Sequence, residues 1–245
     1  MIGIETKNNY TNTIIQTEER KTMNKIECTF YRPEKVSIRE FSNIVRKMEK
    51  DLDTFCREPV DEISIRRYVE VLLNQAQPLK GRPEMFFLGL DDPRSMPSDA
   101  RVDFFYRPTY IGAAIIIRAV LLYPDLLDAK AGLRENYDSE DEKTLKNVLP
   151  CLLTGCTGRN FAGAGYEGLE GLIETLTLFT SAGTSEFVEK YPNLCKPFSE
   201  LYTSSMDFIR NGIKEGTLKG NWGEDYTEKA EQLMELWNAQ RQNRV

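Results

Sequence analysis

The spacing of apolar residues is the feature that most constrains this fold. From Val36 onward, apolar side chains recur at intervals of three and four residues, the period of an α-helix with one buried face. No segment shows the strict alternation that is typical of a half-buried strand. The pattern therefore predicts an all-α fold, a multi-helix array of helical hairpins with about nine helices. The nine segments are residues 38–55, 65–73, 109–123, 126–133, 145–153, 169–179, 187–191, 198–213 and 230–237.

One of these segments, residues 109–123, is apolar nearly all round, and this predicts a buried central helix about which the hairpins pack. Its longest apolar run, Tyr110–Ile117, is much shorter than the roughly 20 residues that span a bilayer. The sequence therefore predicts no membrane association.

The polar residues 1–33 predict a flexible N-terminal arm, followed by a single all-α domain over residues 34–245. Residues 78–108 contain five prolines, including Pro78 and Pro108 at the two ends, and this predicts a long loop. If the domain is divided into two parts, we expect the boundary near this loop. Loops of this length inside a compact domain are uncommon and often functional.

The chain contains no histidine. This excludes Ser-His and Cys-His nucleophile pairs and His-ligated metals, so any catalysis would rest on carboxylate, Arg, Lys, Tyr or Cys side chains. The five cysteines are odd in number and form no CxxC pair, which indicates buried thiols in a reducing, cytoplasmic setting rather than a zinc site. We expect no metal and no cofactor.

The net charge of −6 is uneven, since the first 50 residues hold ten basic and seven acidic side chains and the remainder carries −9. No basic run forms the stripe that tracks a phosphate backbone, so the composition disfavours nucleic-acid binding. The oligomeric state is not encoded in any pattern of the chain.

Residues 154–171 hold six of the sixteen glycines, and Gly163 to Gly168 spells GxGxxG. No strand precedes this string, so a dinucleotide-binding fold is disfavoured. Two interpretations stay open. In the first, Gly163 and Gly165 let an anion approach the backbone, and the Arg159 guanidinium forms paired hydrogen bonds with its carboxylate or phosphate. In the second, the glycines allow helices to cross closely.

The segment Lys219–Tyr226 places aromatic residues around two acids. Trp222 and Tyr226 would stack on a sugar ring, while Glu224 or Asp225 acts as acid or base. Two candidate catalytic partners come from the glycine-rich segment, namely Tyr166 and Glu167. The alternative is an acidic cap for the last helix, with Trp222 as a packing plug.

Arg107 stands just before the apolar helix, where it would line a pocket or form a structural ion pair. These patterns support two hypotheses. The first is a small-molecule-binding protein for an anionic or sugar-like ligand, or a metal-independent enzyme that uses carboxylate, Arg and Tyr groups. The second is a non-catalytic helical module that docks a protein partner.

Overall fold

The computed structural model describes residue 26 and residues 38–77, 85–86, 98–129, 144–156 and 168–242. Over these residues the chain forms eight α-helices, which confirms the all-α prediction. They are α1 Ile38–Arg57, α2 Glu62–Gln75, α3 Ser98–Leu122, α4 Leu145–Cys156, α5 Gly168–Ser181, α6 Thr184–Lys190, α7 Lys196–Glu215 and α8 Thr227–Gln242. A 3-10 helix, Pro124–Asp128, covers the described part of the helix expected at 126–133.

Two strands of two residues each, β1 Ala76–Gln77 and β2 Met85–Phe86, pair antiparallel. Among the described helices, none is both long and apolar enough to cross a membrane.

Helix α3 begins eleven residues earlier than the sequence pattern indicates. The prediction that residues 78–108 form a loop is wrong for residues 98–108, which are helical through Pro108. A proline inside a helix removes one backbone hydrogen bond, so it is a poor predictor of a boundary when packing compensates for that loss. Pro108 is buried, and α3 packs against α1, α2, α4, α5 and α6. The rest of the predicted loop, apart from β2, lies outside the described residues.

Helices α1 and α2, which both pack on α3, are linked by a buried polar contact. The Tyr68 hydroxyl donates to Asp51 Oδ2 at 2.8 Å, and Lys47 Nζ donates to the same oxygen at 2.7 Å. Phe55 packs edge-on against the Tyr68 ring at a centroid distance of 5.2 Å. Because its charge is paired and hydrogen-bonded, the buried Asp51 is compatible with the core around it.

The turn between α5 and α6 requires glycine for two reasons. Gly183 has φ +89°, a conformation that costs a side-chain-bearing residue free energy, and a Cβ atom there would lie 2.8 Å from Leu121 Cδ1 of α3. The turn thereby brings α6 close to α3. Beneath it, the buried Tyr202 hydroxyl bonds the hydroxyls of Thr180 and Ser185 at 2.9 and 3.1 Å.

The predicted arm, residues 1–33, is described at one position. Ile26 is partly buried and packs against the hydrophobic core, so the chain is attached to the fold at that point. The other arm residues lie outside the described part of the chain, and the prediction of a single domain over 34–245 stays a prediction.

Candidate functional site

A cleft of about 450 Å³ opens among α1, α3, α5 and α8. Its floor is aliphatic, contributed by Leu52, Ile173, Leu178 and Leu233, because these residues lie on the apolar stripes of their helices. Its walls are polar. Charged, hydroxyl, amide and thiol side chains come from all four helices, namely Glu49, Asp53, Cys56, Arg107, Glu174, Thr177, Ser181, Lys229 and Gln232.

Among the predicted ligand-binding residues that the structure describes, Arg107 lines this cleft and lies between two carboxylates. Its Nε donates to Glu49 Oε1 at 2.6 Å, and its Nη1 lies 3.6 Å from Glu174 Oε2. The side chain is 43% exposed, so these ion pairs contribute only about 0–1 kcal/mol each. Their main effect is positional, since one guanidinium is held between carboxylates of α1 and α5 at the edge of the cleft.

Lys229 of α8, which lines the cleft, pairs with Glu170 in the first turn of α5. Lys229 Nζ donates a hydrogen bond to the Glu170 carboxylate, and this bond raises the pKa of Lys229 above its ordinary value, so the ammonium stays protonated at neutral pH. Partial desolvation, followed by the carboxylates of Glu170 and Glu224, raises the pKa of Tyr226. Lys229 therefore joins the start of α8 to the start of α5.

The first turns of α5 are where the predicted site segments meet. The glycine-rich segment ends at Gly168, which begins α5 with φ +53°. Glu170 binds Lys229, which comes just after the segment Lys219–Tyr226 in the chain. Glu174, one turn further along α5, contacts Arg107. The remaining predicted residues of that segment lie outside the described residues, so their ligand-binding and catalytic roles stay predictions. They are Arg159, Gly163, Gly165, Tyr166 and Glu167.

The sequence reasoning did not identify Glu49, Glu174 or Lys229. Each of the three lies next to a buried position on its helix, and many surface charges do the same, so this position does not single them out. Glu49 is also 58 residues away from its partner Arg107 in the chain. No local pattern links partners at that separation.

The cleft also contains the Cys56 thiol. Burial raises the pKa of this thiol from the ordinary 9.0 to about 11, so the thiol is neutral near pH 7.

The predicted aromatic-acid segment forms a closed hairpin between α7 and α8. Gly220 N–H donates to Glu224 O at 2.8 Å, and Tyr226 N–H donates to Leu218 O at 2.9 Å. Gly223 adopts φ +89° at the turn. Trp222 stands at the tip with 92% of its surface exposed, so the packing-plug interpretation is wrong. The buried apolar residue of this hairpin is instead Leu218, which is 1% exposed and packs against Gly212 of α7.

Asp225 acts as the acidic cap that the sequence offered as the alternative to catalysis. Hydrogen bonds from the Thr227 hydroxyl and from its backbone N–H, the latter at 2.9 Å, lower the pKa of Asp225. A general acid needs a raised pKa, so the lowered pKa disfavours that role, and a role of Asp225 as a base stays a prediction. Trp222, Glu224 and Asp225 lie on the hairpin, outside the lining of the cleft.

Comparison of the chain with protein-family models, curated proteins and solved structures finds no match. Within the part of the chain that the structure describes, Cys, Asp and Glu side chains form no cluster suited to a metal ion.

Proposed function

We propose that this protein binds a small, neutral, hydroxyl-rich organic molecule in the cleft among α1, α3, α5 and α8. The observation that carries the proposal is a cleft of about 450 Å³ that combines an aliphatic floor with the Glu49–Arg107–Glu174 group on its wall. Ligand pockets are typically about 300–1,000 Å³, mostly apolar, with a few polar groups that orient the ligand.

The charges of the lining favour a neutral ligand over an anion. Three carboxylates, Glu49, Asp53 and Glu174, face two cations, Arg107 and Lys229. An anion would therefore enter a lining with an excess of negative charge. Hydroxyl groups match both signs, because they donate to carboxylates and accept from guanidinium and ammonium groups. A sugar-like molecule would also place its C–H face on the aliphatic floor.

The proposal is limited to binding. The described candidate for catalysis, Asp225, caps α8, and the cleft does not contain it. A protein-docking role would use another surface, because the cleft is recessed between helices whereas the Trp222 hairpin is exposed.

A thermal-shift screen tests the proposal with three classes of compound: neutral mono- and disaccharides, inorganic phosphate with citrate, and alkylamines. A sugar at 100 times its Kd should stabilise the wild-type protein by about 2.7 kcal/mol. Arg107→Lys keeps the charge but loses the planar fork, so it should weaken sugar binding about tenfold.

The matched control is Arg210→Lys on α7. Arg210 is also 43% exposed and pairs with one carboxylate, that of Asp207 at 2.5 Å, yet it lies outside the cleft lining. This variant should bind like the wild type. The proposal fails if no sugar stabilises the protein, if only anions or amines do so, or if both variants bind equally well.

A further inference from the structure

A second surface of the molecule, formed by residues outside the lining of the cleft, carries an exposed indole. Trp222 is 92% exposed, whereas Trp237, the other tryptophan, is partly buried beneath the Arg241 guanidinium. Exposed single apolar residues are common, but tryptophan is the residue type most enriched among the side chains that dominate protein interfaces. An indole held at a fixed place in solvent is therefore a candidate anchor.

The hairpin holds this indole in place before any partner arrives. Gly223 N–H donates to Gly220 O at 3.1 Å, and Trp222 N–H donates to Glu224 Oε2 at 3.2 Å. Lys219 and Asp225 pair as a β-bridge at the base. Because these bonds already order the loop, docking would cost little additional loop entropy.

Exposed acidic residues follow the indole along the chain. Glu224 and Asp225 are exposed beside it, and α8 continues the charge along its solvent face through Glu228, Glu231 and Glu235. Their spacing of three and four residues places these glutamates side by side on the helix, where they repel one another. Of the nearby cations, Lys229 is engaged by Glu170, and Lys219 lies close to Asp225.

This combination determines which partner fits. A guanidinium group stacks on an indole face and forms paired hydrogen bonds with carboxylates, so an arginine-rich segment satisfies both features at once. A second copy of the chain, with net charge −6, or an anionic membrane would instead be repelled. We propose that Trp222, its hairpin and the glutamate face of α8 form a docking surface for an arginine-rich segment of another protein.

The test is the fluorescence anisotropy of a dye-labelled nona-arginine peptide titrated with the full-length protein. The wild type should bind it, should bind nona-lysine more weakly, and should lose affinity as the salt concentration rises from about 0.05 M to about 0.15 M. Trp222→Ala should weaken binding about tenfold or more, because the stacking partner is removed. Phe208→Ala, which removes another exposed aromatic ring (55% exposed), should change the Kd by less than about twofold.

Charge is tested with two triple variants of equal net charge. Glu228→Gln with Glu231→Gln and Glu235→Gln should weaken binding about tenfold and flatten its salt dependence. The control carries the same three changes on α2, α6 and α7, at exposed positions away from the hairpin, and should weaken binding by less than about threefold. Its substitutions are Glu70→Gln, Glu189→Gln and Glu200→Gln.

Four results would overturn the proposal. The wild type does not bind the peptide, Trp222→Ala binds as tightly as the wild type, or the two triple variants weaken binding equally. The fourth is that Trp222 instead mediates self-association in sedimentation velocity or binding to phosphatidylcholine vesicles. None of these results bears on sugar binding in the cleft, which thermal shift reports separately.

Discussion

The cleft and the Trp222 hairpin differ in how their side chains are held. In the cleft, Arg107 and Lys229 are positioned by carboxylates far away in the sequence, over a floor that is part of the hydrophobic core. In the hairpin, the backbone bonds join residues that are neighbours in the chain, Gly220 with Glu224 and Leu218 with Tyr226. The cleft should therefore depend on the stability of the whole fold, and the hairpin should tolerate substitution.

Truncating one apolar residue in each region gives the largest expected contrast. Leu233→Ala removes a side chain that is 1% exposed and forms the cleft floor, so the free energy of unfolding should fall by about 2–5 kcal/mol. Trp222→Ala should change it by less than about 0.5 kcal/mol, because the indole buries almost nothing. Urea denaturation measures both. Equal losses would mean that the hairpin is part of the core.

The thiol in the cleft gives the next contrast. Burial raises the pKa of Cys56 from 9.0 to about 11, so its thiolate fraction near pH 8 should be about a hundredfold below that of an unfolded cysteine. Iodoacetamide should therefore modify Cys56 about a hundredfold more slowly in the folded protein than in urea, as followed by peptide mass spectrometry. Similar rates in both states would show that the thiol is not desolvated.

The same raised pKa links Cys56 to stability at high pH. The neutral thiol is favoured in the folded state, so its contribution is complete below pH 9 and is lost as the pH rises to about 11. In the hairpin the direction is opposite, because the pKa of Asp225 is lowered.

Asp225 should have the smallest effect. Its capping bonds contribute stability above the ordinary pKa of 3.8, and this contribution is lost as the pH falls through the lowered folded value. Asp225→Ala should lower the melting temperature slightly at pH 7 and less below pH 3. Asp225→Asn, which still accepts the Thr227 N–H bond, should stay close to the wild type at pH 7 and lose the acid-dependent part. A pH-independent loss in Asp225→Ala would refute a role for the ionised carboxylate.

Local patterns predicted most of the helices but not the full length of α3. Periodicity identifies a helix when one face is buried, as in α1 and α7. Periodicity did not identify residues 98–108 as helical, because Pro108 indicated a helix boundary there. In the structure Pro108 lies inside α3, where packing against neighbouring helices compensates for the lost backbone hydrogen bond. Turn chemistry likewise predicted a cap at the start of α8, yet it could not show that Trp222 is exposed.

The sequence by itself determined the helical class and the absence of imidazole chemistry, and it offered the acidic cap of α8 as one of two interpretations, because these depend on composition or on residues that are neighbours in the chain. Only the tertiary structure decided that Arg107 lies between Glu49 and Glu174 and that Lys229 reaches Glu170. The reason is physical. A helical period specifies which face is buried, but which two faces meet depends on how all the helices pack together.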